Sequence, residues 1–417
     1  MDSHRLLTIG LFGFGCVGQG LYDILAREES LPYKVARICV KDPNKLRPLP
    51  PENFTYDWLE VVQDEHLDIL VEAISDANEA YAIVSEALRR GKKVVTANKK
   101  LVAYHLPELL ALQEEFGGTL LYESAVAGGI PIIRTVEEYF SNEPVARVHG
   151  ILNGSSNYIL SQIFKNQKAY SEALKEAQDK GFAELDPWLD VAGADSRHKL
   201  CILAAHAFGR TLAPEEVAFF GIDFLGHQDW EFAKQHDAVI KLVASVHETA
   251  DGELVPLVLP SLVRASDDLY GVEQEFNGVV VEGGYSGTQL FKGRGAGGHP
   301  TGSAVLSDIE SISRGYRYGY KKLQRHKNAA ALALDYELEV YLRCPEPDLV
   351  VALGLSNLQT VQREADAFSL IGTVTLGNLI KSQEQIRQAG AYIMALSSGF
   401  EEVKEVREKE SVAWSNA

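Results

Sequence analysis

Four cysteines in 417 residues, with no CxxC pair among them, give this chain little from which to build a disulfide framework or a zinc site. Cys16, Cys39, Cys201 and Cys344 stand apart in apolar surroundings and read as reduced core thiols. Long apolar runs are missing too: none reaches the roughly 18–20 residues needed to cross a bilayer. The opening MDSHRLLTIG passes straight into a strand-like segment without the apolar core of a signal peptide, so a cytoplasmic protein is expected. Positive charge is scarce, with 40 Lys and Arg against 58 Asp and Glu and a formal net charge of −18. A surface for nucleic acid or anionic membrane needs clustered cations, and only short basic patches occur. Internal repeats and low-complexity tracts are absent. What remains is a globular composition, 46% hydrophobic, long enough for two or three domains of roughly 100–200 residues each.

The first 135 residues alternate short apolar runs (LLTIGLF, KVARICV, LDILVEAI, KKVVTA, TLLYESAV) with amphipathic stretches (VGQGLYDILAREE, EAYAIVSEALRRG, LPELLALQEEFG). That rhythm predicts an α/β fold with a Rossmann-type doubly wound parallel sheet over 1–135, and Gly91 and Gly117 fall where helices should end. From 136 to 300 the alternation loosens into longer helices and strands, a mixed α+β domain. The glycine-dense GRGAGGHPTG, 293–302, leads into a helix of about 300–325 expected to pack back on the first domain. A small α/β module follows over 336–417.

Two stretches carry chemistry. In TIGLFGFGCVGQGLYDIL, Gly13, Gly15 and Gly18 stand in G-x-G-x-x-G order between strand and helix. The first glycine permits a tight turn, the second lets the backbone approach a pyrophosphate, and the third lets helix and strand pack closely. The alternative is a glycine-rich turn with no ligand. After KVARICV come Lys41, Asp42, Lys45 and Arg47: an acid there suits the ribose hydroxyls of NAD, and the cations suit the 2′-phosphate of NADP, which the basic cluster slightly favours. The second stretch, GFAELDPWLDVAGADSRHKL, gathers Glu184, Asp186, Asp190 and Asp195 and then Lys199. Hydride delivery to an aldehyde leaves negative charge on oxygen, which a lysine ammonium can protonate, and an α-amino acid brings an ammonium that carboxylates would bind. The plainer reading makes Asp195 an N-cap, Lys199 its surface partner and the other acids solvated turn residues around Pro187. His198 is given no role. Spacing leaves both readings open.

Six blocks together (GLFGFGCVGQG, GKKVVTANKKLVA, YESAVAGGIPII, GILNGSSNYIL, EALKEAQDKGFAELDPWLDVAGADSRHKL and GRGAGGHPTGSAV) occur in the order of the homoserine dehydrogenase family, which the chain resembles over about residues 5–320. The resemblance implies NAD(P)H-dependent reduction of L-aspartate 4-semialdehyde to L-homoserine, a step towards threonine, methionine and isoleucine. It implies that Lys199 transfers the proton, Asp195 is the neighbouring catalytic acid and Lys99 is a second lysine where coenzyme and substrate meet. Glu184 and Asp190 match substrate-binding carboxylates. Gly154 and Ser155 match a helix start whose N–H groups receive the substrate carboxylate, although a Ser-Ser N-cap is the default reading of that segment alone. The implied coenzyme site comprises Gly13, Gly15, Cys16, Val17, Gly18, Lys41, Ser75, Lys99 and Gly297. Glu123, with the carbonyls of Val126, Gly128 and Ile130, matches a loop for a sodium-type cation. The middle domain is implied to dimerise, at least as a homodimer.

Three departures from the family pattern stand out. VEAISDAN puts Ser75 and Asp76 where a Gly-Gly pair is common, and NGSSNYIL replaces NGTTNYIL with loss of methyl packing. The tail's RCPEPDLVVALGL lacks the glycine of an ACT effector loop, so a degenerate ACT-like module without threonine feedback is expected. The start at the dehydrogenase implies no aspartate kinase half. The rival functions are a non-catalytic dinucleotide sensor and a dehydrogenase of another amino acid.

Overall fold

Alternating apolar strands and amphipathic helices in the first third build a six-stranded sheet from β1 (Leu7–Phe12), β2 (Tyr33–Cys39), β3 (Phe54–Thr55), β4 (Ile69–Glu72), β5 (Lys93–Thr96) and β6 (Thr119–Leu121). Every pairing is parallel, in the order β3-β2-β1-β4-β5-β6. That order opens a crevice at the carboxyl ends of β1 and β4, where it reverses. The computed structural model describes residues 5–325, 331–363 and 367–396. The last stretch of the expected C-terminal module, 397–417, lies outside the described residues.

Around this sheet pack α1 (Cys16–Arg27), α2 (Trp58–Gln63), α3 (Ala77–Arg89) and α4 (Lys99–Phe116). Side-chain caps fix two of their starts: Asp76 accepts from the N–H groups of Asn78 and Glu79, and Asn98 accepts from that of Leu101. Gly91 (φ 67°) and Gly117 (φ 72°) adopt the left-handed conformation where α3 and α4 stop, as the sequence suggests. Two details differ from the sequence reading. The two-residue β3 has no apolar run to announce it. Helix α4 starts at Lys99 rather than Leu106, because the Asn98 cap begins it and Pro107 is accommodated inside it.

The rest of the chain builds α5 (Ile132–Arg134), β7 (Val145–Ile151), α6 (Gly154–Asn166), α7 (Tyr170–Asp179), α8 (Trp188–Val191), α9 (Ala194–Phe208), β8 (Ala218–Phe219), α10 (His227–Gln235), β9 (Ala238–Glu248), β10 (Leu254–Arg264), β11 (Phe276–Gly283) and β12 (Gly287–Arg294). Then follow α11 (Gly298–Ser313), α12 (Lys321–Arg325), β13 (Glu337–Cys344), α13 (Asp348–Ala352), β14 (Ser356–Arg363), β15 (Phe368–Thr375), α14 (Leu376–Gln388) and β16 (Tyr392–Ala395). The second sheet runs β12-β11-β7-β9-β10-β16-β13-β15-β14, with β8 on β10. The last four strands, with α13 and α14, form a β-α-β-β-α-β unit whose β16 pairs with β10 through Ser261 and Ala395. Asp229 of α10 ties it further: Arg343 of β13 donates to both carboxylate oxygens at 2.9 and 3.0 Å, and the Tyr341 hydroxyl donates at 3.0 Å.

Helix α9 is buried on all sides except at Arg197, which makes it a core helix rather than a surface one. The helix expected over about 300–325 is instead two, α11 ending at Ser313 before Gly315 (φ 83°) and α12 starting at Lys321, and α11 packs on α1. A Cβ on Gly20 would lie 2.0 Å from the Gly298 carbonyl oxygen, so the two backbones touch directly. Among the described residues no helix is long and apolar enough to cross a membrane.

Candidate active site

The glycine turn sits at the carboxyl end of β1, held to the end of β2 by the Gly13 N–H donating to the Cys39 carbonyl at 2.9 Å. Gly13 has φ 90°, and a Cβ there would lie 2.5 Å from the Ala73 carbonyl oxygen. A Cβ on Gly18 would lie 2.3 Å from the Gly13 carbonyl oxygen, so helix and turn close on each other only without side chains. Gly15 is the opposite case: a Cβ there meets nothing within 4 Å. It is also the N-cap of α1 and makes no side-chain cap. Open space at a helix N-terminus beside a tight turn fits a pyrophosphate. Cys16 is exposed and Val17 half-buried in the same first turn.

The other expected coenzyme residues lie around this crevice. Lys41 is exposed just past β2 and pairs with Glu79 at 3.1 Å. The Asp42 carboxylate accepts from the Asn44 N–H at 2.8 Å, closing a local turn. Ser75 is exposed between β4 and α3, and Asp76 beside it serves as the α3 cap, its carboxyl lowered by the Glu79 and Asn78 N–H groups. Gly297 (φ 114°) caps α11.

Under the crevice, Lys99, Asp195 and Lys199 converge. Lys99 opens α4, and its Nζ lies 2.7 Å from Asp195 Oδ1. Lys199 Nζ donates to Asp195 Oδ2 at 2.6 Å and to the Leu152 carbonyl at 2.7 Å. One carboxylate therefore holds two ammonium groups contributed by two different helices. Asp195 is not the N-cap of α9, and the plainer reading fails here: Gly193 takes that position with φ 87°, leaving the carboxylate free for the lysines. Asp195 and Lys199 are buried, with side chains 5% and 9% exposed, whereas Lys99 is 41% exposed.

The electrostatics separate the two lysines. Burial opposes charge on Asp195, but Lys199 and Lys99 overcome it and hold the carboxyl far below its usual range. Lys99 is raised above an ordinary lysine by Asp195, with help from Asp190 and Glu184. Lys199 is lowered, because burial outweighs the pull of Asp195 and Lys99 adds repulsion. The exposed lysine thus stays cationic, and the buried one gives up its proton more readily.

Asn153 completes the cluster and was not singled out in the sequence. Its amide nitrogen donates to Asp190 Oδ1 at 2.8 Å and Asp195 Oδ2 at 3.0 Å, while its amide oxygen caps α6 by accepting from the Ser156 N–H at 2.8 Å. The signal was an Asn directly before the helical GSSNYIL, and the cap is Asn153 rather than a serine. Gly154 and Ser155 do open α6, with the Ser155 hydroxyl donating to the Phe182 carbonyl at 2.5 Å. Asp190 is half-buried and its carboxyl is raised, first by burial and then by Asp195. Glu184 is exposed on its turn, with its main-chain carbonyl held by Gln178 at 3.0 Å. Asp186 closes an exposed local turn onto the Trp188 N–H at 3.2 Å. His198 packs its ring 5.7 Å from that of Tyr104, and burial pushes it down to about 4.

The loop expected to hold a cation runs from Glu123 to Ile130. The Glu123 carboxylate is buried and already accepts from the N–H groups of Ile133 and Arg134 at 2.8 and 2.9 Å. It thereby helps to hold the start of α5, while the Glu123 and Ile130 carbonyls accept from the Val126 and Ile132 N–H groups at 3.3 and 2.8 Å. Ala127 (φ 53°) and Gly128 (φ 51°) turn the chain sharply between Val126 and Ile130. Among the described residues no group of three or more His, Cys, Asp or Glu side chains is placed to hold a metal.

A dinucleotide crevice above a buried lysine-carboxylate-lysine cluster defines an NAD(P)-dependent oxidoreductase. A family model for homoserine dehydrogenase matches residues 131–309, and one for its NAD-binding domain matches 13–123. The homoserine dehydrogenase of Bacillus subtilis strain 168 is 37% identical over 325 residues, covering 76% of this chain and 75% of the relative. A homoserine dehydrogenase structure from Thiobacillus denitrificans superposes with a TM-score of 0.79 at 30% identity, covering 94% of this chain and 98% of that one. A hyperthermophilic archaeal homoserine dehydrogenase in complex with NADPH superposes with a TM-score of 0.65 at 28% identity, over 75% and 99% of the two chains. The chain belongs to the homoserine dehydrogenase family, and its activity is that of this NAD(P)-dependent enzyme of amino-acid biosynthesis.

Proposed function

We propose that the chain interconverts L-aspartate 4-semialdehyde and L-homoserine with Lys199 as the proton-transferring group. The observation that carries this is the buried Asp195 held between Lys99 and Lys199. A bound nicotinamide coenzyme supplies or accepts the hydride. Lys199, oriented by Asp195 and the Leu152 carbonyl, gives its proton to the aldehyde oxygen as negative charge develops there, and Lys99 stabilises that charge. Asp190 and Glu184 receive the substrate ammonium, and the α6 start at Gly154 and Ser155 receives its carboxylate. The intact lysine-carboxylate cluster favours this chemistry over a non-catalytic sensor, and the family match favours it over a dehydrogenase of another amino acid.

The coenzyme reading leans slightly to NADP: Asp42 is occupied by its own turn, and Lys41, although paired with Glu79, stands exposed just past β2. The NADPH-bound archaeal relative supports the same lean. Residues 1–135, completed by α11, form the coenzyme domain in this reading, and 136–300 the substrate and dimerisation domain. The β-α-β-β-α-β unit supports a degenerate ACT-like module over 336–417. A sodium-type cation would be held by Glu123 and the carbonyls of Val126, Gly128 and Ile130. The four free cysteines accord with a cytoplasmic protein, and the family resemblance implies a homodimer or larger homo-oligomer.

Lys199→Ala is expected to lower kcat for homoserine oxidation by about 10²–10⁴-fold with coenzyme affinity retained. Homoserine oxidation needs the neutral amine, so its rate should rise with pH. Because burial lowers Lys199, the midpoint should fall below the ordinary lysine value of about 10.4. Steady-state kinetics across pH with both coenzymes tests this; full turnover in Lys199→Ala would end the assignment.

A further inference from the structure

Helix α9 carries Asp195 and Lys199, and between them stands Arg197. Its guanidinium carbon lies 4.1 Å from the centroid of the Phe219 ring. A second guanidinium, that of Arg387 from α14, lies 3.8 Å from the same centroid. Each cation is attracted by the negative face of the ring, worth about 0.5–2 kcal/mol depending on desolvation. One phenyl ring thus joins the helix of the lysine cluster to a helix of the C-terminal unit.

The main chain of Phe219 is gripped from the same side. Its N–H donates to Gln383 Oε1 at 3.0 Å, and its carbonyl accepts from Arg387 Nη2 at 2.8 Å. Helix α14 therefore fixes β8 by both peptide groups and by the ring. The residues after β8 press on the turn that launches α9. A Cβ on Gly221 would lie 1.9 Å from the Val191 carbonyl oxygen, and the Ile222 N–H donates to that same oxygen at 2.7 Å. A Cβ on Gly193, the N-cap of α9, would lie 3.3 Å from the Phe220 carbonyl oxygen. Contacts this close transmit a displacement of β8 to Asp190 and to the first turn of α9 rather than absorbing it.

We propose that Arg387 of α14 is a positioning residue for the Asp195–Lys199 pair, acting through Phe219 and Arg197. The C-terminal unit then completes the geometry of the reaction centre without touching substrate. The inference rests on the reading of Lys199 as the proton-transferring group. Displacements of about 1 Å in such a group cost up to roughly 10²-fold in rate, so the effect belongs in kcat.

The test is a double-mutant cycle on the full-length protein, following homoserine oxidation by nicotinamide absorbance. Arg387→Ala removes one cation and the carbonyl bond, and Phe219→Leu removes the shared ring while leaving both main-chain bonds to α14. Each is expected to lower kcat about 5- to 20-fold with the KM values for homoserine and coenzyme changed less than about twofold, and to shift the alkaline limb of the kcat profile. The double variant should lose clearly less than the product of the two single losses, because both substitutions remove the same ring contact. Arg387→Lys should recover at least half of the lost kcat, and it carries the test if the alanine variant does not fold. Strictly multiplicative losses, or a lowered Tm with kcat and its pH profile unchanged, would overturn the proposal. Lys199→Ala runs alongside: its turnover surviving sinks the reading of the site, whereas its inactivity with a multiplicative cycle sinks the coupling alone.

Discussion

Asp195 shows how burial and pairing together give a residue its function. A lone carboxylate in that position would be forced neutral, and a lone Lys199 would lose its proton; together with Lys99 they form a cluster in which opposite charges sustain one another. Asn153 performs two tasks with one amide, capping α6 with its oxygen and separating Asp190 from Asp195 with its nitrogen. Those tasks can be pulled apart. Asn153→Ser should keep the cap and most of the stability, whereas Asn153→Ala should lose about 1 kcal/mol with the cap. Both should lose the bridge between carboxylates and lower kcat/KM about 10- to 100-fold, because Asp195 is no longer held towards the lysines. Thermal melts and kinetics on the same preparations check this, and an Asn153→Ser enzyme with unaltered kcat/KM would contradict it.

At the scale of elements, the glycine turn and α1 divide three glycines between fold and ligand. Gly18 is needed by the protein itself, since its missing Cβ lets α1 approach the Gly13 carbonyl, whereas the space beside Gly15 is filled by nothing in the chain. Gly15→Ala should therefore leave Tm within about 1–2 °C of the parent and raise the coenzyme KM at least about tenfold, while Gly18→Ala should lower both stability and coenzyme affinity. Differential scanning fluorimetry with and without NADPH distinguishes them; equal losses of Tm in both would show that the space belongs to the fold. The sequence announced this element through the strand-turn-helix context of its motif. It announced α4 less well, since Pro107 hid the helix's early start at the Asn98 cap, and the two-residue β3 not at all. Short edge strands form because their neighbour is already in place, a cause that no local pattern records.

Across the whole molecule, polar groups in the interior set how stability responds to pH. Glu72 ends β4 without exposure to solvent; it accepts from the Ile74 N–H at 2.7 Å and is bonded by the Thr96 hydroxyl, yet burial pushes its carboxyl up to about 7. The folded state then binds a proton that the unfolded chain, with an ordinary glutamate near 4.5, has released. Stability from this group is intact below about 4.5 and declines as pH rises towards 7, by on the order of 3 kcal/mol in all. Glu72→Gln should melt close to the parent at pH 5 and progressively above it towards pH 8. A Tm difference independent of pH would refute this. The same interior joins parts that the sequence suggested were separate, since Asp229 grips Arg343 and the β16 edge meets β10.

The sequence by itself determined the parallel sheet, the glycine turn, the helix ends at Gly91 and Gly117, and the family, because strand and helix periodicity and turn stereochemistry are local and family blocks are linear. The tertiary structure alone decided that Asp195 serves two lysines rather than a helix end, that Asn153 belongs beside it, that the Glu123 carboxylate helps to hold the start of α5, and that Arg387 shares a ring with Arg197. Most of these join residues far apart in the chain, and a carboxylate's role follows from what surrounds it once the chain has folded.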